Sequence, residues 1–392
     1  MPLNPLASRL RTLRRDLATV VSVLAGRGPS PVVPIARRAR EPAVDAAAAT
    51  PRGVRIERVV RETADAVTLV LRDAAGEPIR FAPGQFFTLL VRLPDGEVAR
   101  RAYSASSSAL DGATVSLTVK RVAGGRVSTH LVDRAREGDA LEVLGPSGSF
   151  VPAPAAGPRR LVLVAGGSGI TPLASIARTL LASEPQTRLA LVYGNRGERD
   201  VVLRDALGAL AVEHGPRFVV RHVLEVPPPG WTGGVGPLDA AALARELDAM
   251  GEPDAPTTEY FLCGPAPMML AARGLLERRS VAPARIHEER FISAHATAPA
   301  ADRPQPVTVR SRGAHHRFVV APGQTLLEAA MQQRVDLPFS CTVGGCGACR
   351  VRLVEGRVVL HEPNCLSAEE RADGYVLTCI GRPGAPCTLE VA

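Results

Sequence analysis

Val162-Leu-Val-Ala-Gly-Gly-Ser-Gly-Ile-Thr-Pro172 lies near the middle of a 392-residue chain and decides how the rest is read. A short apolar run enters Gly166, Gly167 and Gly169, the signature of a buried strand ending in a turn. Pro172 suits the first position of a helix, where its missing N–H is not needed. Strand, glycine turn and helix together bring backbone close to a phosphate, which the helix N-terminus attracts. Gly166, Gly167, Gly169, Thr171 and Pro172 are therefore candidate contacts to a dinucleotide pyrophosphate.

Working outward, the same rhythm continues. Apolar strands at Leu161–Ala165, Leu189–Tyr193 and Phe218–Val223 alternate with helical stretches near 172–182, 200–211, 239–248 and 266–278. Further strands near Tyr260–Cys263 and Ile286–Phe291 complete an α/β unit with a parallel sheet over residues 156–292. Residues 51–155 read as all β. Val67, Leu69 and Leu71, and then Val115, Leu117 and Val119, alternate with polar or less buried positions, and Gly84, Gly112, Gly138 and Gly148 punctuate the runs. Many short strands with glycine turns predict an antiparallel β-barrel. On the other side, residues 293–303 read as a linker and residues 304–392 as a small α+β unit.

Residues 1–50 differ from the rest. They hold eight arginines against Asp16, Glu41 and Asp45, so most of the net charge of +8 lies in this arm. Apolar residues at 3, 6, 10, 13, 17, 20 and 24 keep the helical period, and Arg9, Arg11, Arg14 and Arg15 lie beside that stripe. This is the pattern of a basic amphipathic helix that docks on an anionic membrane; a helix packed on its own protein and a cleaved targeting peptide are the alternatives. Residues 26–50, rich in Pro, Ala and Arg, read as a linker. No apolar run approaches the ~18–20 residues of a membrane span. With only 4% aromatics and its basic excess confined to the arm, the chain does not look like a nucleic-acid binder.

Cysteine spacing carries the strongest chemistry. Cys341-x4-Cys346-x2-Cys349 is followed at a distance by Cys379. Three thiolates from one tight loop can converge only if the intervening residues are small, and Gly344, Gly345, Gly347 and Ala348 meet that need. The spacing is that of a plant-type [2Fe–2S] site. Zinc ribbons favour two paired short spacings, which are absent. The pattern suits a reducing compartment, hence the cytoplasm. Cys365 and Cys387 stand outside it and read as small apolar residues. Arg101-Ala-Tyr103-Ser104 offers a cation for a cofactor phosphate, a ring to cover a flavin and a hydroxyl for a ring nitrogen, although Arg101 and Tyr103 alone also read as surface strand residues. In Phe261-Leu-Cys263-Gly264-Pro265, a cysteine at a strand end can approach a nicotinamide or simply fill a core.

In this order, the motifs resemble the ferredoxin–NADP reductase superfamily, in the subgroup that carries a C-terminal plant-type ferredoxin domain and serves multicomponent oxygenases and desaturases. The resemblance covers about residues 53–392 and leaves residues 1–50 unexplained. It implies an antiparallel flavin barrel, a nucleotide-binding α/β domain and a β-grasp [2Fe–2S] domain held by Cys341, Cys346, Cys349 and Cys379. It implies a flavin site at Arg101, Tyr103 and Ser104, with Thr118 and Lys120 on the flanking strand and Gly125, Val127, Ser128 and Thr129 at the flavin phosphate. Cys263, Gly264 and Pro265 would face the nicotinamide, Phe291 would be the terminal aromatic near the flavin, and Glu289 is a further catalytic candidate beside Tyr103, Ser104 and Cys263. FAD is expected, with FMN as the alternative.

Nucleotide choice is read from Gly194-Asn195-Arg196-Gly197-Glu198-Arg199, which follows the strand expected to end at Tyr193. No acidic residue stands directly at the strand end to favour NADH, while Arg196 and Arg199 can pair with a 2′-phosphate. NADPH is therefore expected, with NADH as the alternative. Such a chain would split a hydride into single electrons for a terminal oxygenase, hydroxylase or desaturase. A general ferredoxin or flavodoxin reductase and a cluster-binding redox sensor are the competing readings. Two outcomes are expected. Residues 304–392 carry nine arginines against eight acids. Covalent fusion replaces electrostatic steering, so cluster reduction should change little between low and high ionic strength in stopped-flow measurements; steep slowing would refute this. Deleting residues 1–50 should leave flavin reduction intact and weaken co-sedimentation with anionic vesicles; unchanged sedimentation would dispose of the membrane reading.

Overall fold

The structure, a computed structural model, describes residues 51–155, 157–251, 257–291, 301–311, 313–339, 344, 347–361, 364, 366 and 368–391. The expected N-terminal helix and linker, most of the 293–303 linker, and Cys341, Cys346 and Cys365 lie outside these residues.

The first sheet is built from β1 (Arg52–Thr63), β2 (Ala66–Asp73), β3 (Phe86–Arg92), β4 (Val98–Ser104), β5 (Thr114–Lys120) and β6 (Ala140–Ser147). Its order is β4-β3-β6-β1-β2-β5 and its pairings are antiparallel. A bridge between Ala105 and Leu117 joins the two end strands and closes the barrel. Inward residues alternate as expected: Val67, Leu69, Leu71, Val115, Leu117 and Val119 all lie in one core. Helix α1 (Arg126–Arg134) plugs this core with Val127, Leu131 and Val132. One expectation changes. The positions between the inward residues of β2 are also buried, because that face is covered: Ala66 belongs to the core of the next lobe.

That lobe contains β7 (Arg160–Gly166), α2 (Ile170–Ser183), β8 (Arg188–Gly197), α3 (Arg204–His214), β9 (Phe218–Val226), β10 (Gly234–Val235), α4 (Ala240–Ala249), β11 (Thr258–Cys263), α5 (Ala266–Arg278) and β12 (Ile286–Glu289). Every pairing in its sheet is parallel, in the order β10-β9-β8-β7-β11-β12. Both faces are covered. Leu161, Leu163 and Ala165 face one apolar cluster, and Val162 and Val164 face the other. The chain leaves β7 outward to β8 and β9, then returns to β11. The strand order therefore reverses between β7 and β11, and in open α/β sheets ligands bind outside the strand ends at such a point. Phe150, just past the barrel, packs edge-on against Phe261 of β11 with ring centroids 5.3 Å apart, so the two lobes share a core.

Three boundaries differ from the sequence reading. Helix α2 begins at Ile170, so Pro172 is its third residue. A 3-10 turn at Gly167–Gly169 leads into it. Strand β8 runs on to Gly197 instead of stopping at Tyr193, so an acidic residue, Glu198, does stand directly past the strand end, contrary to the sequence expectation; it is ion-paired with Arg204. Helix α3 starts at Arg204, because the buried residues Val201–Leu203 form a turn in which Leu203 adopts φ 59°.

The C-terminal residues form β13 (Gln305–Ser311), β14 (Ala314–Val320), α6 (Leu326–Gln332), β15 (Arg350–Glu355), β16 (Val358–Leu360), α7 (Ala368–Ala372), β17 (Tyr375–Leu377), β18 (Gly381–Pro383) and β19 (Cys387–Val391). Five strands make a mixed sheet, β14-β13-β19-β15-β17, with β13 and β19 parallel. Helix α6 is fixed by a capping box between Thr325 and Glu328 and buries Leu326, Leu327, Ala329 and Ala330 against the sheet.

Candidate functional site

Two glycine turns meet at the strand-order reversal. A Cβ on Gly169 would stand 2.1 Å from the Cys263 carbonyl oxygen and 2.8 Å from the Gly264 nitrogen. One on Gly166 would stand 2.6 Å from Pro265 Cδ and 2.7 Å from Met268 Sδ. One on Gly264 would meet Met268 Cε at 2.6 Å and the Gly166 nitrogen at 2.9 Å. The turns after β7 and β11 thus lie backbone against backbone. This changes the reason for the glycines: Gly166 and Gly169 are required by internal packing, and Gly167, at φ 51° with nothing within 4 Å of its Cβ position, borders open space. The Tyr193 hydroxyl donates to the Gly167 carbonyl at 2.9 Å and holds the turn from β8. Sequence reasoning missed Tyr193; its signal was a polar-tipped ring in an otherwise aliphatic strand. The N-cap position of α2, Gly169, supplies no side-chain cap, but the Ile170 N–H bonds back to the Gly167 and Ser168 carbonyls and Pro172 carries no N–H, so the half-exposed Gly167–Ser168 turn is the backbone that faces solvent here. Thr171 Oγ1 donates to the Ser168 carbonyl at 3.1 Å and secures the same turn.

The barrel meets this edge through Ser104. It is buried at the end of β4, and its Oγ lies 3.5 Å from Glu289 Oε2. Glu289 ends β12 in register with Cys263. Cys263 is fully buried; burial first, and then the Glu289 charge, push its thiol well above the usual range. It is therefore a neutral thiol. Tyr103 is half-buried, and burial raises its hydroxyl against the lowering influence of Arg101. Arg101 is exposed and donates to the Arg100 carbonyl. Phe291 is also exposed, two residues beyond Glu289.

The other flavin-side candidates are partly committed to the barrel itself. Thr118 Oγ1 lies 2.8 Å from the hydroxyls of both Thr68 and Ser106, in a buried hydroxyl chain. Lys120 Nζ lies 3.9 Å from Asp65. Gly125 is the N-cap of α1 and supplies no side chain. Val127 is core, and Ser128 Oγ accepts the Val122 N–H at 3.1 Å, closing its own turn. Thr129 donates its N–H to the Gly125 carbonyl. The open first-turn amides of α1 are what remain for a phosphate.

On the nucleotide side, Asn195 is buried near the end of β8, and neither end of its amide makes a hydrogen bond of normal geometry. Arg196 and Arg199 are exposed and form no ion pair among the described residues. In the C-terminal unit, Cys349 and Cys379 are buried with their sulfurs 3.1 Å apart. That is far longer than the ~2.05 Å of a disulfide. Gly344 and Gly347, in the loop before Cys349, take φ 79° and 73°, which glycine adopts without penalty. Cys387 lies apart in the sheet core, its thiol pushed up to about 11 by burial.

Comparison with known proteins agrees with this layout. Residues 54–151 match the family described as "Oxidoreductase FAD-binding domain", 163–274 "Oxidoreductase NAD-binding domain", and 309–384 "2Fe-2S iron-sulfur cluster binding domain". The chain is 36% identical to the ferredoxin reductase component of 3-ketosteroid-9-alpha-monooxygenase of Mycobacterium tuberculosis, over 84% of this chain and 92% of that protein. It is 34% identical to the glycine betaine monooxygenase reductase of Pseudomonas aeruginosa, over 86% and 94%. The chain belongs to the oxygenase reductases that join FAD-binding, NAD-binding and 2Fe-2S domains. Phthalate dioxygenase reductase shares the fold, with a TM-score of 0.63 at 24% identity over 88% of this chain and 98% of that one.

The residues fit the three groups this reductase family carries. Uncapped amides at the α1 N-terminus and the half-exposed Gly167–Ser168 turn suit the phosphates of FAD and of a nicotinamide nucleotide, and two converging buried thiols suit a metal-sulfur centre. The turn contact gives a sharp contrast. Gly169→Ala should cost about 3 kcal/mol or more through overpacking. Gly167→Ala should cost only about 1–2 kcal/mol for its left-handed backbone. Urea midpoints would read the difference, and equal losses would contradict the close approach.

Proposed function

We propose that this reductase takes a hydride from NADPH and delivers electrons singly to a terminal oxygenase, hydroxylase or desaturase. The observation that carries the reading is the meeting of Ser104, from the barrel, with Glu289 and Cys263, from the nucleotide lobe, at the end of the parallel sheet. When bound, a flavin accepts two electrons as a hydride and releases them one at a time, and a [2Fe–2S] cluster accepts them one at a time.

The chain's own residues prepare that exchange. Ser104 and Glu289 hold the polar side of the joint. Cys263 backs the joint as a buried neutral thiol, because burial beside Glu289 keeps the proton on sulfur. The half-exposed Gly167–Ser168 turn is the backbone offered to a pyrophosphate, and Tyr193 keeps that turn in place. Arg101 and the N-terminus of α1 are the phosphate-binding groups on the flavin side. Tyr103 supplies a half-buried ring next to Ser104. Cys341, Cys346, Cys349 and Cys379 hold the cluster. Arg196 and Arg199, next to Asn195 and without an ion pair among the described residues, are the groups for a 2′-phosphate. The thiolate set suits the reducing cytoplasm, and the basic period of residues 3–24 is the reason to place the protein at the inner face of the cell membrane.

Nucleotide choice tests the selective part of this reading. The holoprotein should reduce cytochrome c with a higher kcat/KM for NADPH than for NADH. Replacing both Arg196 and Arg199 by Ala should lower that ratio by roughly tenfold or more, as expected for losing charge-assisted bonds to a phosphate. A parent enzyme that prefers NADH, or a ratio untouched by the double substitution, would refute it.

A further inference from the structure

The segment that carries Asn195, Arg196 and Arg199 has two ends. Its start is fixed by β8, whose ladder to β9 continues as far as Gly197. Its far end is Leu203, the N-cap position of α3. Leu203 has φ 59°, an unfavourable backbone for a branched side chain, and it supplies no side-chain cap. The residue is buried in the lobe core, so its N–H needs a protein acceptor.

That acceptor comes from the other lobe. Glu62, near the end of β1, accepts the Leu203 N–H on Oε2 at 3.1 Å. Its Oε1 accepts the Thr68 hydroxyl at 2.6 Å, so the carboxylate is itself held in place. Thr68 continues into the Thr118–Ser106 hydroxyl chain. Arg178 of α2 feels the Glu62 charge and donates to the Ser106 carbonyl at 2.7 Å. A carboxylate at a helix N-terminus also meets the positive end of the helix dipole. The Glu198–Arg204 ion pair closes the segment on itself.

We infer that Glu62 is a positioning residue for nucleotide selection: from the flavin barrel it caps α3 and sets the segment that presents Arg196 and Arg199. The inference rests on the 2′-phosphate reading above. Glu62 touches no substrate in this account. It acts through Leu203.

Calorimetric titration of the holoprotein with NADP+ and with NAD+ tests it. Glu62→Ala should weaken NADP+ about tenfold and NAD+ less, lowering the ratio of the two affinities. Glu62→Gln, which keeps an acceptor oxygen, should recover most of the NADP+ affinity. Flavin content, the cluster spectrum and the rate of cluster reduction by dithionite should stay at parent values. If Glu62→Ala does not fold, Glu62→Asp, whose shorter arm withdraws the carboxylate from Leu203, should show the same selective loss. NADP+ binding within about twofold of the parent, equal losses for both nucleotides, or a Gln variant as weak as the Ala variant would each overturn the inference. Replacing Arg196 and Arg199 separates the two readings. If that variant loses NADP+ affinity while Glu62 variants do not, only the positioning role fails. If the Glu62 variants lose it and the arginine variant does not, the phosphate reading fails.

Discussion

Backbone-to-backbone contact between two glycine turns is the constraint on which the nucleotide lobe depends. Gly169 approaches the Cys263 carbonyl and Gly264 so closely that no side chain fits between them. Because β7 and β11 are hydrogen-bonded neighbours, this contact sets the ends of both strands at one height. It thereby places the Gly167–Gly169 turn that leads into α2 beside the buried, neutral Cys263.

The second organising element is the joint between the barrel and the nucleotide lobe. Apolar burial supplies one part, through Ala66 and Phe150 against the lobe core. Directional bonds supply the other: Glu62 to Leu203, Arg178 to the Ser106 carbonyl, and the Ala109 N–H to Thr179 Oγ1 at 2.9 Å. Helix α2 carries Arg178 and Thr179 in its second half and is entered through the Gly167–Gly169 turn. Helix α2 and the Leu203 end of the segment after β8 are therefore both anchored on the barrel by polar contacts. Polar anchors of this kind fix orientation more strictly than apolar contact, since a buried donor without its acceptor is costly.

Local pattern carried much of this into the sequence. The run Val162–Ala165 is apolar at every position because both faces of a parallel strand are covered, and it was legible as such. Cysteine spacing disclosed the 2Fe-2S unit for a similar reason: three of its four cysteines, Cys341, Cys346 and Cys349, fall within one short stretch of sequence. What escaped was set by distant partners. The start of α2 was misplaced by two residues because a 3-10 turn precedes it. The end of β8 and the start of α3 were misplaced because the ladder to β9 extends the one and the Leu203 turn delays the other. Burial of the outward face of β2 was invisible because another lobe covers it. Glu62 and Leu203 are 141 positions apart, so no periodicity links them.

The electrostatics of the meeting point follow from burial more than from any charged pair. Cys263 has no exposed surface, and Glu289 lies close enough to raise its thiol further. Each effect opposes a thiolate, so a second negative charge next to Glu289 is strongly disfavoured. The Glu289 carboxylate faces Ser104, and the buried sulfur behind it remains neutral. A reactive, ionised cysteine would require a cation or a helix N-terminus aimed at the sulfur. The α2 N-terminus is nearby, but Gly169 presses against the backbone of Cys263, not its side chain. The fold thus keeps the glycine turn and the neutral thiol adjacent without letting the helix end ionise the sulfur.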